Sequence, residues 1–330
     1  MKPDAEGILF PELPPIRWLA ETPPTKESLG GKPILIDFWD STCLPCLRTL
    51  PWIRAWHRRY AEHGLAVVSV HTPEFRFEDE DALVARFAAD RELPYPVGLD
   101  TDRRVWETFH NRYWPSRYLF DASQRLRYYH LGEGNAAECE AAIRALLAEM
   151  APQAHLPPPH ELPPAESVSQ AEPEMYLGLE RAHVGNEEKA TAGEPHRWTL
   201  PGRRRAGQPY LDGPWRPELR YVESIGAEPA SIHARVRAAG VHALLDAAGP
   251  DRASAEVLLD GEPVPASSRG ASLSVTTSGR TLVDVAGPRL YELILDPEDR
   301  EMDVQLRVEM PGLRAYTLAF EHAPAAEPGS

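Results

Sequence analysis

Asp37-Phe38-Trp39-Asp40-Ser41-Thr42-Cys43-Leu44-Pro45-Cys46 is the stretch on which the fold turns. Before it, Pro33-Ile34-Leu35-Ile36 is a short apolar run rich in β-branched residues, the signature of a buried strand. After it, Leu47, Leu50, Ile53, Trp56, His57 and Tyr60 recur at helical spacing. The cysteines therefore sit where a strand gives way to a helix, with Cys43 at the helix start. Unpaired backbone N–H groups and the positive end of the helix dipole favour a thiolate there. Cys46 lies one turn further in, within reach of a mixed disulfide on Cys43, and Pro45 suits a first turn that needs no N–H from it. Such a Cys-x-x-Cys has three readings: a redox dithiol, half of a zinc site, or two inert buried cysteines. The zinc reading lacks ligands, because Cys139 is the remaining cysteine and no second Cys-x-x-Cys or His-x-x-x-His follows. The helix-start position favours the dithiol over an inert pair.

Other residues fit a dithiol mechanism. Asp37 is flanked by Ile36 and Phe38 on the strand, so its carboxyl is expected to be buried with a raised pKa. It could then take a proton from Cys46, or be satisfied by backbone donors. Glu74 follows a second apolar strand, residues 66–70, at the sheet edge where open α/β folds place ligands. It could assist proton transfer, shape the groove, or be an ordinary loop acid. Trp114-Pro115 precedes a further strand.

Ile36-Asp37-Phe38-Trp39 followed after three residues by Cys43-x-x-Cys46 resembles the thioredoxin signature. Pro51 and His71-Thr72-Pro73-Glu74-Phe75 are similar to the TlpA/ResA branch. The likeness extends to the soluble C-terminal region of DipZ proteins through Leu50-Pro51, Tyr113-Trp114-Pro115, Gly132-Glu133-Gly134-Asn135, Met175-Tyr176-Leu177-Gly178 and the β-rich end. The resemblance implies a thiol–disulfide oxidoreductase with Cys43, Cys46, Asp37 and Glu74 as catalytic residues. It also implies a cis Pro115 facing the cysteines, and a substrate groove of Trp39, Leu44, Pro45, Trp114 and Pro115. TlpA-like proteins often carry a glutamate three residues after the second cysteine, where this chain has Thr49. Partners are expected to be disulfide-bearing proteins or small thiols, with an electron donor of the CcdA or thioredoxin type. No cofactor or metal is implied.

The 330 residues suffice for two cores, and 42% apolar with 26% charged residues is the composition of a globular protein. A net charge of −15 argues against nucleic acid or an anionic membrane surface as partner. Residues 1–150 alternate strands and helices and close on a hairpin and a helix, as an α/β thioredoxin-like fold does, with Cys139 on the core face of the last helix beside Ile143, Leu146 and Met150. Residues 151–174, acidic and stiffened by Pro157-Pro158-Pro159 and Pro163-Pro164, are expected to be an extended linker with His155 and His160 solvated. Residues 175–330 open on a docking segment at Tyr176-Leu177-Gly178 and continue as short strands between glycine, proline and aspartate turns, an all-β, jelly-roll-like sandwich. The DipZ likeness implies that this domain resembles a carbohydrate-binding module. Trp198, Trp215, Tyr221, Tyr291 and Tyr316 are then either sugar platforms or core, and residues 296–303 an acidic turn or a calcium loop.

Two rivals remain. One is a binding or scaffold protein with a vestigial dithiol. The other is a thiol peroxidase of the AhpC/TSA type, for which Thr42-Cys43 has the wrong spacing and no preceding proline. No window reaches the length of a membrane-spanning helix and residues 1–29 do not form a signal peptide, so the expected compartment is the cytoplasm, or outside it if an export segment has been trimmed.

Overall fold

The structure is a computed structural model that describes residues 7–77, 80–160, 173–181, 184–226, 228–249 and 252–322. The chain forms two compact units, Met1–Ser167 and Val168–Ser330. Among the described residues, no helix is long and apolar enough to cross a membrane.

The first unit runs β1 (Arg17–Trp18), α1 (Lys26–Leu29), β2 (Ile34–Trp39), α2 (Leu44–Tyr60), β3 (Ala66–His71), α3 (Glu80–Asp90), β4 (Val97–Leu99), α4 (Arg104–Thr108), β5 (Ser116–Phe120), β6 (Leu126–Leu131) and α5 (Ala136–Met150). Its sheet has the order β1-β4-β3-β2-β5-β6. β2 pairs in parallel with β3 and antiparallel with β5, so it is central and every residue of it is buried. That is why the run Ile34–Trp39 shows no polar alternation. One face of the sheet packs on α2 and α5 through Trp52, Ile53, Trp56, Cys139, Ile143 and Leu146. The other covers Phe10, Phe38, Trp106 and Phe120.

Two features differ from the sequence reading. β4 is a strand of only three residues next to Pro96, too short to show a period. It pairs with β3 and carries β1 on its outer side, and Gly98 permits this because a Cβ there would meet the Ile16 and Trp18 side chains. Residues 156–160 are also not a free linker. Leu156 packs on the α2–α5 core, and Arg144 donates to the Pro157 carbonyl. Arg59 Nε donates to the Pro158 carbonyl at 2.6 Å, and the His160 N–H donates to Glu140 at 2.8 Å. Prolines offer carbonyls without competing amides, and arginines on the two helices take them up. His160 is half-buried with its ring 6.2 Å from Trp52, whereas His155 is exposed. Pro163-Pro164 lie outside the described residues.

The second unit is all-β. It runs β7 (Met175–Tyr176), β8 (His196–Trp198), β9 (Pro209–Pro217), β10 (Val222–Ser224), β11 (Ala230–Ala247), β12 (Ala253–Leu259), β13 (Glu262–Pro263), β14 (Leu273–Val275), β15 (Thr281–Val285), β16 (Arg289–Val308) and β17 (Leu313–Glu321). Two pairs of expected short strands are in fact single long ones, β11 and β16. They pair from Ala230↔Val308 to Leu245↔Arg289, with a main register break at Ala238/Gly240, where residues 296–299 of β16 have no partner on β11, and a second shift at Val241/His242. Before the break β11 borders β9, and after it β17. β10 joins β9 to β17, so β9, β10, β17 and β11 close a ring around the core. Asp296–Asp303 lies within β16 rather than between two strands: residues 300–303 pair with β11, residues 296–299 bulge out of that pairing, and Arg300 pairs with Asp296 at 3.1 Å and Asp260 at 2.9 Å. Trp198, Trp215, Tyr291 and Tyr316 are buried, and the half-buried Tyr221 lies against Tyr316, so these aromatics are core rather than a sugar platform. β7 adds an edge to β17, and Gly178 is needed because a Cβ would collide with the Arg220 backbone.

Candidate functional site

The carboxyl end of β2 leads directly into α2, and Cys43 is the N-cap. Its Sγ accepts the Cys46 N–H at 3.2 Å, one of the donors that a first helical turn leaves without a backbone partner. Cys43 and Cys46 are joined by a disulfide with Cα atoms 5.2 Å apart. Cys43 keeps 9% of its surface exposed and Cys46 1%, so an incoming group meets Cys43 first. Thr49, at the position of the TlpA-type glutamate, hydrogen-bonds the Pro45 carbonyl at 2.9 Å and puts no carboxylate beside the dithiol.

Asp37 is buried on β2, and its Oδ1 has no hydrogen-bond partner among the described residues. Burial pushes its carboxyl up to about 7, against the pull of Arg117. Arg117 is the residue opposite it on β5, itself buried, and donates to the Gly134 carbonyl. Cys139 is a fully buried free thiol pushed up to about 12 by burial, and so inert at neutral pH.

Asp40, three residues before Cys43, is the joint of the site. Its buried carboxylate accepts the Thr42 N–H at 2.7 Å, the Thr42 hydroxyl at 2.8 Å and the Glu74 N–H at 2.5 Å. The cysteine loop is thereby tied to the Thr72-Pro73-Glu74-Phe75 loop after β3. His71 receives the Ser41 N–H at 3.2 Å, and burial pushes its imidazole down to about 3, so it is neutral. Glu80 is also buried, and desolvation together with Asp40 pushes it up to about 8. Trp114 Nε1 donates to the Thr72 carbonyl at 2.8 Å, its ring lies 4.2 Å from that of Trp106, and Arg103 covers it at 5.1 Å. The Trp114–Pro115 peptide is cis. Among the described residues, no three His, Cys, Asp or Glu are grouped to hold a metal.

The expected residues thus fall into three layers. Cys43, Pro45 and Trp114 are at or near the surface, and the Glu74 backbone is tied to the cysteine loop through Asp40. Asp37 lies deep in the sheet. Trp39 and Leu44 do not act as open groove walls: Trp39 is fully buried against His71 and Phe87, and Leu44 is buried in the first turn of α2. Asp40, His71 and Arg117 were missed, since their partners lie 30 or more residues away for Asp40–Glu74 and His71–Ser41, and Arg117 opposes Asp37 only through sheet register. An acid directly before the Ser-Thr-Cys loop was the one local sign of the first.

Residues 20–129 match the AhpC/TSA family, and residues 172–320 match the thioredoxin-like C-terminal domain. The chain is 38% identical over 183 residues to protein DipZ of Mycobacterium tuberculosis, covering 54% of this chain and 25% of that protein. It is 29% identical over 132 residues to the thiol-disulfide oxidoreductase YkuV of Bacillus subtilis, covering 40% of this chain and 88% of YkuV. A thiol-disulfide isomerase from Corynebacterium glutamicum superposes with TM-score 0.39 at 20% identity, over 42% of this chain and 96% of that one. The chain therefore spans about a quarter of the length of the DipZ relatives it matches.

Proposed function

We propose that the chain is a thioredoxin-like protein of the kind represented by DipZ, YkuV and ResA, to which it is similar, and that Cys43 and Cys46 form a redox-active dithiol that reduces disulfides in partner proteins. The observation that carries this reading is the asymmetry of the bonded pair, with Cys43 at a helix start the less covered of the two and Cys46 almost wholly buried.

In the reduced protein the Cys43 thiolate attacks one sulfur of a partner disulfide, forming a mixed disulfide and releasing the other sulfur as a thiolate that takes a proton. Cys46 then loses its proton, attacks Cys43 Sγ and releases the second partner thiol. Two electrons have passed to the partner, and the Cys43–Cys46 disulfide is restored. Asp37, held near pH 7 by burial, is suited to take the Cys46 proton in that second step and return it later. A donor dithiol, of the CcdA or thioredoxin type, closes the cycle. Cys43 with the half-buried Pro45 and Trp114 serves as the partner surface, while Pro115 and the Thr72–Phe75 loop are buried and support it, the loop holding the Trp114 indole through the Thr72 carbonyl. Glu74 acts there through its backbone link to Asp40. The AhpC/TSA match makes thiol peroxidation the second reading.

Insulin reduction with dithiothreitol as donor, with peroxide consumption measured in parallel, tests the proposal. Cys43→Ser should bring reduction down to the rate with dithiothreitol alone, and Cys46→Ser should accumulate mixed disulfides with the partner. Reduction that stays faster than that background in Cys43→Ser would remove the mechanism. Rapid peroxide consumption with no insulin reduction would put the second reading in its place.

A further inference from the structure

α2 carries Arg48, Arg54, Arg58 and Arg59 and no Asp or Glu, in a chain whose net charge is −15. Two of these guanidinia are occupied. Arg48 makes a two-point ion pair with Glu133 at 2.6 and 2.7 Å, and Arg59 holds the Pro158 carbonyl. Arg54 and Arg58 are not comparably satisfied. Both reach only the same oxygen of Glu92, at 3.8 and 3.9 Å, and that carboxylate is 80% exposed. Ion pairs of that kind contribute little. Arg54 Nε is buried without a hydrogen-bond partner among the described residues, and Arg91 adds a further positive charge beside it. These groups open on a cleft of about 400 Å³ lined by Pro51, Arg54, Ala55, Arg58, Arg59 and His160.

We propose that this cleft is a binding site for a small, multiply charged oxyanion, a molecule bearing a diphosphate or several carboxylates. Arg54 and Arg58 are one helical turn apart, a spacing of about 5–6 Å between Cβ atoms that lets two guanidinia grip neighbouring charges of one molecule. Their planar forks match phosphate and carboxylate oxygens two at a time. The volume is in the range of small-molecule sites. Pro51 and Ala55 supply a low apolar floor. Because His160 belongs to the proline segment and the arginines to α2, an occupant touches both and fastens the segment to the helix.

The ring of Trp52, 6.2 Å from that of His160, supplies the readout. Full-length oxidised protein is titrated with pyrophosphate and, separately, with citrate, each against sodium chloride and sodium acetate at equal ionic strength. A saturable change in tryptophan fluorescence, with one-to-one binding by calorimetry, is expected for at least one polyanion. Whichever arm saturates names the phosphate or the carboxylate source. Arg54→Gln and Arg58→Gln should each weaken binding about tenfold, the loss of one charged hydrogen-bonding group, with Arg54→Lys intermediate. Insulin reduction should be unchanged in all three. A response that sodium chloride reproduces, or an affinity indifferent to both glutamine variants, would overturn the site.

Discussion

Replacing Asp37 by asparagine should abolish a pH dependence of stability that the native carboxyl imposes. Burial raises Asp37 from its ordinary 3.8 to about 7 in the folded state. The unfolded chain therefore releases this proton near pH 4, while the folded protein holds it until near pH 7. Between those values the folded state binds the extra proton, so stability falls as pH rises, and above about pH 7 the loss is complete. A difference of about three pH units, at roughly 1.4 kcal/mol each, makes that loss on the order of 4 kcal/mol. Arg117 is already included, because its attraction lowers Asp37 against the dominant effect of burial. The check is urea unfolding of the oxidised wild type and Asp37→Asn at several pH values between about 4.5 and 8.5. The difference between the two at the acid end is the reference. From there to the alkaline end the variant should gain about 3 kcal/mol on the wild type, the part of the loss that falls above about pH 4.5. Parallel stability–pH curves would show that Asp37 ionises normally, and the proton-acceptor role assigned to it would fall with them.

Asp40→Ala leaves the Thr42 and Glu74 N–H groups without an acceptor and should cost about 2–4 kcal/mol. It should also slow insulin reduction, with Asp40→Asn intermediate; unfolding curves and initial rates give the answer. Glu140→Ala strips an acceptor from both the Tyr60 hydroxyl, at 2.5 Å, and the His160 N–H, and should destabilise the first unit by about 2–4 kcal/mol in thermal unfolding. A fragment ending at residue 150 should melt several degrees below one ending at residue 160, since only the longer retains Leu156 and the carbonyls that Arg59 and Arg144 bind.

What could be read from the sequence was whatever is local. The apolar run into Cys43-x-x-Cys46 identifies a strand, a turn and a helix without help from the rest of the chain, and Asp37 betrays its burial by its neighbours. The helical period places Cys139 in the core, where it is. The failures come from tertiary pairing. β9 contains Pro209, Pro214 and Pro217, which argue against a strand, yet its partners on both sides accommodate them. β16 runs through Asp296–Asp303 because residues 300–303 pair with β11 and Arg300 ties back to Asp296 across the bulge at 296–299, whereas composition alone suggests a turn. Asp40 joins two loops separated by 34 residues, and no local period reports such a bond.

The fastening of residues 157–159 has a consequence for how the protein must be observed. Three consecutive prolines carry no amide hydrogen, so deuterium labelling of the backbone is blind at the positions where Arg59 and Arg144 hold the chain. Detachment would bare only carbonyl oxygens, which water solvates readily, and would strand no donor there. The event would be recorded instead by the guanidinium signals of Arg59 and Arg144, and by the single His160 amide, whose exchange rate becomes the reporter for the whole segment.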